Sequence, residues 1–531
     1  MPQEQIEKIF ESFSSPKGPG FSAGVLQNGE FIYKGVGGLA NIELNVPMTS
    51  QSVFNIGSMS KQFTAFAVAL LEAEGKLSLD DDIRSHLPNM PDLGHVLTIR
   101  NLIHHTSGVR DSFPELLALA GWRDTDATTT TDVLRLLESQ QATNFTPGDE
   151  FVYCNSNYVL LAEIVSKVSG STFAEFCRTM IFEPLGMTNT VINDNFYVTI
   201  KKRVSSYYED NGAWYFAPVT DSVVGPTNVY TSLEDFAKWV DNFRTHRIGG
   251  DDLHKRILEP GSLNNGRELD YAFGLEIGQA HTHKGWGLVE HGGSQAGYSS
   301  WMIHIPDRKI TSVVFFNAFM WNTREYCIRL LDLFLEDNPD APTSSSDALE
   351  RKPIHLTTEQ MKPCTGVYYH PVRGWIRKIS FPSDTLMYRG NPLAPISEDK
   401  YYLTGKPEIE IHFTPETMSV ITKAETIIYQ KTTPFDLSSV DLSIYNGKYF
   451  SEEVGHTWTI TAQKDTLKVT RWKYPPTRMT PLFQDAFNDD WLPVMGYPTN
   501  YTILFDREDK GVIIGFKLSG NGVRHINFCK V

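Results

Sequence analysis

The last third of the chain contains an internal repeat, and this repeat limits its fold more than any other feature of the sequence. One pattern of Leu, Gly and Tyr occurs twice with the same spacing, as Leu356, Gly366, Tyr368 and again as Leu437, Gly447, Tyr449. Around both copies the sequence has short β-type runs separated by turns and little helical periodicity. Two related antiparallel, lipocalin-like β-barrels are therefore predicted, at residues 356–436 and 437–531.

The second copy of the repeat is longer than the first in one place. The stretch between Asp485 and Phe505 has more residues than the corresponding stretch of the first copy. The extra residues predict an enlarged loop at 488–500, which includes Asp489 and Asp490. Such a loop is either a tolerated surface insertion or a contact to another domain.

The rest of the chain predicts one larger domain. Short β-type runs occur at 21–55 and again after residue 292, and apolar residues recur at helical spacing between them. Strands at both ends with helices between them predict a single α/β (α+β) domain over residues 1–338. Residues 339–355 are rich in Pro and Ser and predict a linker to the barrels. A chain of 531 residues is too long for a single hydrophobic core, which agrees with this division.

Composition and charge argue against several classes of function. The net charge of −15 argues against nucleic acid and membrane partners, and no apolar run is long enough to span a bilayer. The five cysteines are scattered and never form a CxxC pair, as expected for reduced thiols in a cytoplasmic protein. No HExxH motif occurs, and the adjacent His104 and His105 would point in different directions, so neither a metal nor a cofactor is predicted. The amphipathic start of the chain differs from a signal peptide, and homo-oligomer formation stays open.

Three short motifs carry the candidate chemistry, in the order Ser58-Met59-Ser60-Lys61, Tyr153-Cys154-Asn155 and His291-Gly292-Gly293. The first motif places a hydroxyl and an amine on one face of a helical turn, where the helix N-terminus stabilises negative charge. A free lysine is protonated at neutral pH, so Lys61 can be the base for Ser58 only if its pKa falls from about 10.4 toward about 7. The alternative is an N-capping serine beside a solvated lysine.

The first motif is short enough to occur by chance. Ser14 with Lys17 and Ser397 with Lys400 have the same spacing. Ser58 differs from both, because it opens a helix whose apolar face is strong enough to be part of the core.

The second and third motifs add groups that a serine hydrolase without a histidine–aspartate pair requires. Tyr153 can carry a proton between Ser58 and the leaving group, and Asn155 can hold Lys61 or a substrate amide. The strand-like sequence after His291 can aim a backbone N–H at an oxyanion. The alternative for the second motif is a tyrosine packed in the core beside an asparagine in a turn. The alternative for His291 is a purely structural histidine.

With these motifs the chain resembles the serine β-lactamase/penicillin-binding protein superfamily, in its class C-like branch. The resemblance covers about residues 5–335 and includes further segments at 54–58, 75–81, 105–108, 184–187 and 297–298. It implies a catalytic domain in which an antiparallel sheet is flanked by helices. It also implies acyl-enzyme chemistry at a serine that lies between the sheet and the helical part.

The resemblance also implies roles for single residues. The implied catalytic residues are Ser58, Lys61, Tyr153 and His291. The implied substrate and oxyanion contacts are Asn155, Gly293 and Ser294, with the backbone N–H groups of Ser58 and Ser294 holding the oxyanion.

The third motif departs from the pattern of the penicillin-recognising members. They have Lys-Thr-Gly or Lys-Ser-Gly there, which provides a cation and a hydroxyl for a substrate carboxylate. His291 is mostly neutral at pH 7 and Gly292 has no hydroxyl, so a buried carboxylate would lack both partners at a cost of several kcal/mol. The motif therefore favours amides or esters with an uncharged leaving side.

A catalytic domain followed by two barrels is similar to the plan of the D-aminopeptidase type of this superfamily, which also has His-Gly-Gly as its third motif. In that type a loop of the last barrel enters the active site, so Asp489 and Asp490 are the candidates for binding a substrate amine. The resemblance implies a serine hydrolase of peptide-like amides, most specifically a D-stereospecific aminopeptidase, with a small molecule or short peptide as substrate. The alternatives are a promiscuous carboxylesterase or β-lactamase-type hydrolase on the same site, and a non-catalytic scaffold with the same fold.

Overall fold

The computed structural model describes residues 3–278, 281–340, 353–433, 440–464, 466–489, 501–520 and 522–531. They belong to two compact units, the first comprising Met1–Phe113 with Asp124–Ala341 and the second Pro114–Arg123 with Pro342–Val531. The domain limits at 1–338, 339–355, 356–436 and 437–531 stay a prediction. That prediction does not anticipate that a short segment from the N-terminal part of the sequence belongs to the second unit.

The first unit is built on an antiparallel sheet whose described part has five strands. In chain order these are β1 (Phe21–Gln27), β2 (Glu30–Gly37), β3 (Val289–Gln295), β4 (Tyr298–Ile305) and β5 (Ile310–Phe316). They lie side by side in the order β3-β4-β5-β1-β2, with Phe21 of β1 opposite Phe316 of β5. Strands from both ends of the domain sequence thus share one sheet, which confirms the predicted α/β (α+β) fold.

Both faces of the sheet are covered, which explains why β1 and β5 are buried along almost their whole length. On one face, side chains of the helices Gln3–Ile9 and Thr323–Asp332 join the core cluster under the sheet. On the other face, the ring of Phe315 packs against Phe54 and Phe236, with ring centroids 5.6 Å apart in each pair. Full burial of one such side chain contributes about 1.5–3 kcal/mol.

The remaining elements of the first unit surround this sheet. Its described α-helices are Gln3–Ile9, Lys61–Ala73, Ile99–Ile103, Thr130–Glu138, Asn155–Ser169, Phe173–Cys177, Glu183–Leu185, Leu233–Thr245, Gly250–Arg256 and Thr323–Asp332. Its shorter strands are Leu39–Asn41, Val46–Pro47, Val53–Asn55, Thr128–Thr129, Val191–Ile192, Tyr207–Asp210, Ala213–Phe216, Asp221–Ser222, Val229–Ser232, Thr282–His283 and Trp286–Gly287. The helices Lys61–Ala73 and Asn155–Ser169 pack together, and each begins at the last residue of one of the first two motifs. Within the described ranges, no helix of either unit has both the length and the apolar character needed to cross a membrane.

The second unit contains two closed antiparallel barrels, each with eight strands in its described residues. The short helix Thr358–Met361 precedes the first barrel. Its strands are Gly366–His370, Trp375–Ser380, Met387–Tyr388, Asn391–Pro395, Lys400–Leu403, Lys406–Phe413, Thr417–Ile421 and Thr426–Lys431. The strands of the second barrel are Gly447–Ser451, His456–Gln463, Thr466–Thr470, Thr477–Phe483, Ala486–Asp489, Tyr501–Arg507, Ile513–Ser519 and Ile526–Lys530. The predicted pair of small β-barrels is confirmed.

The repeated Gly-x-Tyr pattern has the same structural basis in both barrels. Tyr368 and Tyr449 are fully buried, and the hydroxyl of each donates to the backbone carbonyl four residues earlier. A lysine side chain lies over each tyrosine ring. Lys431 Nζ is 5.6 Å from the ring centroid of Tyr368, and Lys530 Nζ is 5.8 Å from that of Tyr449. A Cβ atom at Gly366 or Gly447 would lie 3.1 or 2.7 Å from Cε of that lysine, so a larger residue there would displace the lysine side chain.

The segment Pro114–Arg123 is bound within the second unit by side chains of the second barrel. The Trp458 indole donates to the Leu119 carbonyl at 3.2 Å, and the Tyr474 hydroxyl donates to the Trp122 carbonyl at 2.6 Å. The leucines of this segment are buried. Its apolar side chains and two of its carbonyl groups are therefore satisfied inside the unit that contains the barrels.

Candidate functional site

Ser58 lies on a tight turn that leads into a buried helix. The 3₁₀ turn Gly57–Ser60 is continued by the α-helix Lys61–Ala73. The Gly57 N–H donates to the Asn55 side chain at 2.8 Å. The Ser60 hydroxyl accepts the Val229 N–H at 3.1 Å. These two bonds fix the backbone on both sides of Ser58, whose own side chain is half-buried.

The amine of Lys61 is fully buried one helical turn from the hydroxyl of Ser58. Its Nζ lies 3.1 Å from Ser58 Oγ, 2.8 Å from Asn155 Oδ1 and 3.2 Å from the Pro226 carbonyl oxygen. Burial lowers the pKa of Lys61 from 10.5 to about 7, although the nearby Asp111 carboxylate acts in the opposite direction. A large fraction of the lysine is therefore neutral near pH 7 and can accept a proton from Ser58.

Asn155 is the first residue of the helix Asn155–Ser169, and its amide has a defined orientation. Its Nδ2 donates to the Phe113 carbonyl at 2.8 Å, which leaves Oδ1 to accept from Lys61. Of the two roles that the sequence allows for this amide, the structure places it on the lysine.

Tyr153 lies on the loop before that helix, with its ring against Lys61. The lysine Nζ is 4.7 Å from the ring centroid, and the Ser58 hydroxyl acts to lower the pKa of the phenol. Desolvation raises the pKa of the Tyr153 phenol well above its usual range, although 37% of the residue is exposed. The phenol is therefore protonated at neutral pH and can donate a proton, whereas Lys61 is the group suited to be the base.

Asp111 is a buried carboxylate near Lys61 that carries no local sequence signal, because it lies in an ordinary loop sequence. It accepts the backbone N–H groups of Phe113 and Ser156 at 3.3 and 3.4 Å. Burial raises the pKa of Asp111 to about 6, so most of it is still ionised at pH 7. Its negative charge keeps the pKa of Lys61 higher than burial alone would.

These pKa values predict how the reactivity of Ser58 depends on pH. Ser58 should react only when Lys61 is neutral, so the rate constant for labelling by a fluorophosphonate should fall about tenfold per pH unit below pH 7. Above that pH the rate constant should level off. Asp111→Asn removes the charge that raises the pKa of Lys61, so the midpoint should move to lower pH. The measurement is the second-order labelling rate constant between about pH 5 and 9.

The matched control for this experiment is Asp210→Asn. Asp210 is an exposed residue at the end of the strand Tyr207–Asp210, so its removal should leave the midpoint unchanged. A labelling rate that does not depend on pH, or an upward shift in Asp111→Asn, contradicts the assignment of Lys61 as the base.

Two glycines allow strand β3 to approach the turn that carries Ser58. A Cβ atom at Gly293 would lie 1.9 Å from the Ile56 carbonyl oxygen, and one at Gly57 would lie 2.4 Å from Ser294 N. Gly57 also has a φ of +51°, a conformation that favours glycine. The backbone of Ser294 is thus in contact with the nucleophile turn, as two N–H groups that share an oxyanion require.

His291 of β3 is buried, and the protein contacts both of its ring nitrogens. Nδ1 lies 2.6 Å from the Gly292 carbonyl oxygen, and Nε2 lies 3.3 Å from the Tyr271 hydroxyl. Burial, followed by the charge of Lys61, lowers the pKa of His291 to about 4. The ring is therefore neutral at pH 7 and provides no cation at the third motif.

One group of side chains in the described part of the chain is close enough together to hold a metal ion. It consists of Glu276, His281 and Glu290, whose ligand atoms all lie within 4.8 Å of one another. Glu290 already accepts two hydrogen bonds from Arg324, at 2.8 and 2.9 Å, and one from the Trp301 indole. Burial alone would raise the pKa of Glu290, but hydrogen bonds from His281 and Arg324 lower it to about 2. The group is arranged as an ion-pair network, and the absence of a metal stays an expectation from the sequence.

Asp489 and Asp490 were the candidates for binding a substrate amine. Asp489 ends the strand Ala486–Asp489, where it is buried and forms an ion pair with Arg471. Its carboxylate thus has a charged partner inside its own barrel. Asp490 and the rest of the predicted loop lie outside the described residues.

The fold and the motifs correspond to a known family. The family profile described as Beta-lactamase matches residues 6–335. The chain belongs to the beta-lactamase family. All three motifs lie in the part that matches the beta-lactamase family, whereas both barrels lie after it.

Two curated relatives from this family cover most of the matched part. The chain is 28% identical over 331 residues to penicillin-binding protein 4* of Bacillus subtilis (strain 168). This match covers 59% of this chain and 72% of the relative. It is 29% identical over 323 residues to a D-aminopeptidase of Brucella anthropi, which covers 60% of each chain. The match therefore spans less than two thirds of that aminopeptidase.

Two solved structures have a similar fold. An octameric penicillin-binding protein homologue from Pyrococcus abyssi matches with a TM-score of 0.57 at 21% identity, covering 90% of this chain and 100% of the other. The D-amino acid amidase of Ochrobactrum anthropi SV3 matches with a TM-score of 0.51 at 19% identity, covering 62% of this chain and 97% of the other. The first of these similarities extends beyond the family domain into the barrels.

Proposed function

We propose that this chain is a serine hydrolase that cleaves peptide-like amide bonds through an acyl-enzyme on Ser58, and that it acts as a D-stereospecific aminopeptidase. The observation that carries the proposal is the distance of 3.1 Å between Ser58 Oγ and Lys61 Nζ, together with a lysine pKa of about 7. Acyl transfer by a serine requires a base within hydrogen-bonding reach whose pKa lies near the working pH.

In the proposed reaction, neutral Lys61 accepts the proton of Ser58 while Oγ attacks the substrate carbonyl. The backbone N–H groups of Ser58 and Ser294 hold the oxyanion, and one donor of this kind contributes about 2.7–4 kcal/mol. The proton passes from Lys61 through Tyr153 to the leaving amine as its C–N bond breaks. Water then attacks the ester carbonyl while Lys61 accepts its proton, and Lys61 returns that proton to Ser58 Oγ as the acyl–oxygen bond breaks and the acid product leaves.

The third motif supports substrates with an uncharged leaving side. His291 is neutral and buried, and Gly292 has no side chain to donate a hydrogen bond. A carboxylate brought to this side would lose its water without gaining a charged partner, whereas an amide or ester would lose much less.

The stereochemical part of the proposal is supported by relatives. D-aminopeptidases of Brucella anthropi and Gluconobacter oxydans (strain 621H) are 29% and 28% identical to this chain over the family domain. Those two proteins carry the activity in their names, and the same activity is proposed for this chain.

The experiment compares hydrolysis of D-alanine p-nitroanilide, L-alanine p-nitroanilide and p-nitrophenyl acetate by the full chain. We expect kcat/KM for the D-anilide to exceed that for the L-anilide by about 100-fold or more, since the wrong configuration places the side chain where the amine should bind. All turnover above background should require Ser58.

Two outcomes separate the alternatives. Rapid hydrolysis of the ester with no hydrolysis of either anilide would support a carboxylesterase and reject the peptidase. Equal rates on the two anilides would reject the D-specificity and leave the serine hydrolase in place.

A further inference from the structure

Three buried side chains that are far apart in the sequence form a continuous hydrogen-bonded row beside the site. The Tyr271 hydroxyl lies 3.3 Å from His105 Nε2 on one side and 3.3 Å from His291 Nε2 on the other. All three residues are at most 3% exposed. The position of each hydrogen in this row follows from its other contacts.

At one end of the row, His105 must donate to Tyr271. Its Nδ1 accepts the backbone N–H of Cys154 at 3.1 Å, so this nitrogen carries no hydrogen. The Asn157 amide also reaches Nδ1, and its orientation is set because its oxygen accepts from the Ser107 hydroxyl. Burial keeps the pKa of His105 well below its usual value, so the neutral ring carries its single hydrogen on Nε2.

At the other end of the row, His291 must accept from Tyr271. Its Nδ1 faces the Gly292 carbonyl oxygen, which only accepts, so Nδ1 carries the hydrogen of the neutral ring. Nε2 is then a bare acceptor, and the Tyr271 hydroxyl donates to it. The row therefore runs in one direction, from His105 through Tyr271 to His291. The Tyr158 hydroxyl donates to the Ile103 carbonyl, so beside Tyr271 it can only accept and does not reverse this direction.

We propose that Tyr271, oriented by His105, is a positioning residue that keeps the hydrogen of the neutral His291 ring on Nδ1, and that it thereby sets the preference of the site for leaving groups without a carboxylate. With Tyr271 in place, neither ring nitrogen of His291 is available to donate to a substrate. This inference rests on the proposed function, because it concerns the leaving side of the same reaction. It adds two residues, His105 and Tyr271, that lie outside the three motifs.

Removing the Tyr271 hydroxyl should change the form of His291 without touching the nucleophile. In Tyr271→Phe the ring packing is retained, but Nε2 of His291 loses its donor and is left unpaired in a buried place. The neutral ring can then carry its hydrogen on Nε2 instead of Nδ1, and this N–H can pair with a substrate carboxylate.

The test uses D-alanyl-D-alanine amide and D-alanyl-D-alanine, two dipeptides that share the scissile bond and differ in the charge of the leaving side. We expect the wild type to prefer the amide by about 100-fold in kcat/KM, and Tyr271→Phe to reduce that preference about tenfold through a lower KM for the acid. The labelling rate of Ser58 by a fluorophosphonate should stay within about threefold of wild type. Tyr298→Phe is the control, because it removes another buried tyrosine hydroxyl, one that donates to the Val204 carbonyl instead of contacting His291, and it should leave the preference unchanged.

A second measurement tests the positioning role without any substrate. In protein labelled with ¹⁵N-histidine, side-chain correlation spectra distinguish the two neutral forms and the cation, and the His291 signals are those lost in His291→Gln. The wild type should show the Nδ1–H form, and Tyr271→Phe should show a shift toward the neutral Nε2–H form. An Nε2–H form in the wild type, or an unchanged amide preference in Tyr271→Phe, overturns the inference. If neither dipeptide is cleaved while the spectra are as expected, the proposed function fails and the positioning role of Tyr271 stands.

Discussion

Replacing Ser58 with alanine should abolish covalent labelling by a fluorophosphonate and reduce turnover of every substrate by about 10⁴-fold or more. The reason is that Ser58 Oγ is the atom to which the acyl group is transferred, and Lys61 3.1 Å away has no other hydroxyl to activate in the proposed reaction. The measurement combines intact-protein mass after labelling with steady-state turnover of D-alanine p-nitroanilide.

The sequence provides a matched control for this variant. Ser397 begins another Ser-x-x-Lys pattern, and in the structure its hydroxyl donates to Asp399 at an exposed position of the first barrel. Ser397→Ala should therefore label and turn over like the wild type. Labelling of the Ser58→Ala variant at the wild-type rate would show that the nucleophile is elsewhere.

Replacing Lys61 with methionine should slow the labelling of Ser58 by about 10²–10⁴-fold across the pH range, because the general base is lost while the side-chain length is kept. The ascending limb of the pH profile near pH 7 should disappear with it, since the titrating group is gone. Lys61→Arg should be equally slow, because a guanidinium keeps the positive charge and does not release its proton in this pH range.

Two controls separate lost chemistry from lost folding. Lys400→Met changes the lysine of the other Ser-x-x-Lys pattern, which is exposed, and should keep the wild-type labelling rate. In Lys61→Met, the Asn155 and Pro226 oxygens lose their donor, so thermal unfolding of this variant should be measured alongside. A variant that is folded and still labels at the wild-type rate contradicts the role of Lys61.

The sequence was sufficient for the parts of the molecule that have a periodic or repeated signal. The apolar period after Ser58 predicted the helix Lys61–Ala73, and the repeat at Gly366 and Gly447 predicted two barrels with equivalent first strands. These signals are local, because each one reflects a backbone period or a recurring contact of nearby residues.

The residues that the sequence did not identify act through contacts between distant parts of the chain. Asp111 acts on Lys61 only because the fold buries both, and His105 meets Tyr271 across 166 positions of sequence. The Pro226 carbonyl is a backbone group, so no residue type could reveal it. The direction of the hydrogen bond from His105 depends on donors of a distant loop and helix, Cys154 and Asn157, which the sequence around His105 does not reveal.

The assignment of Pro114–Arg123 to the second unit has a consequence for the modularity of the chain. The polypeptide passes between the two units three times, after residues 113, 123 and 341, instead of once at a linker. A fragment that ended at residue 341 would keep the buried leucines of Pro114–Arg123 but lose Trp458 and Tyr474, which bind its carbonyls. Exposing one of these leucines to water would lose about 1.5–3 kcal/mol of folding free energy. The exposed apolar surface would also favour aggregation. Removing the barrels from this chain therefore requires matching changes within Pro114–Arg123, because this segment is packed and hydrogen-bonded in the same unit as the barrels.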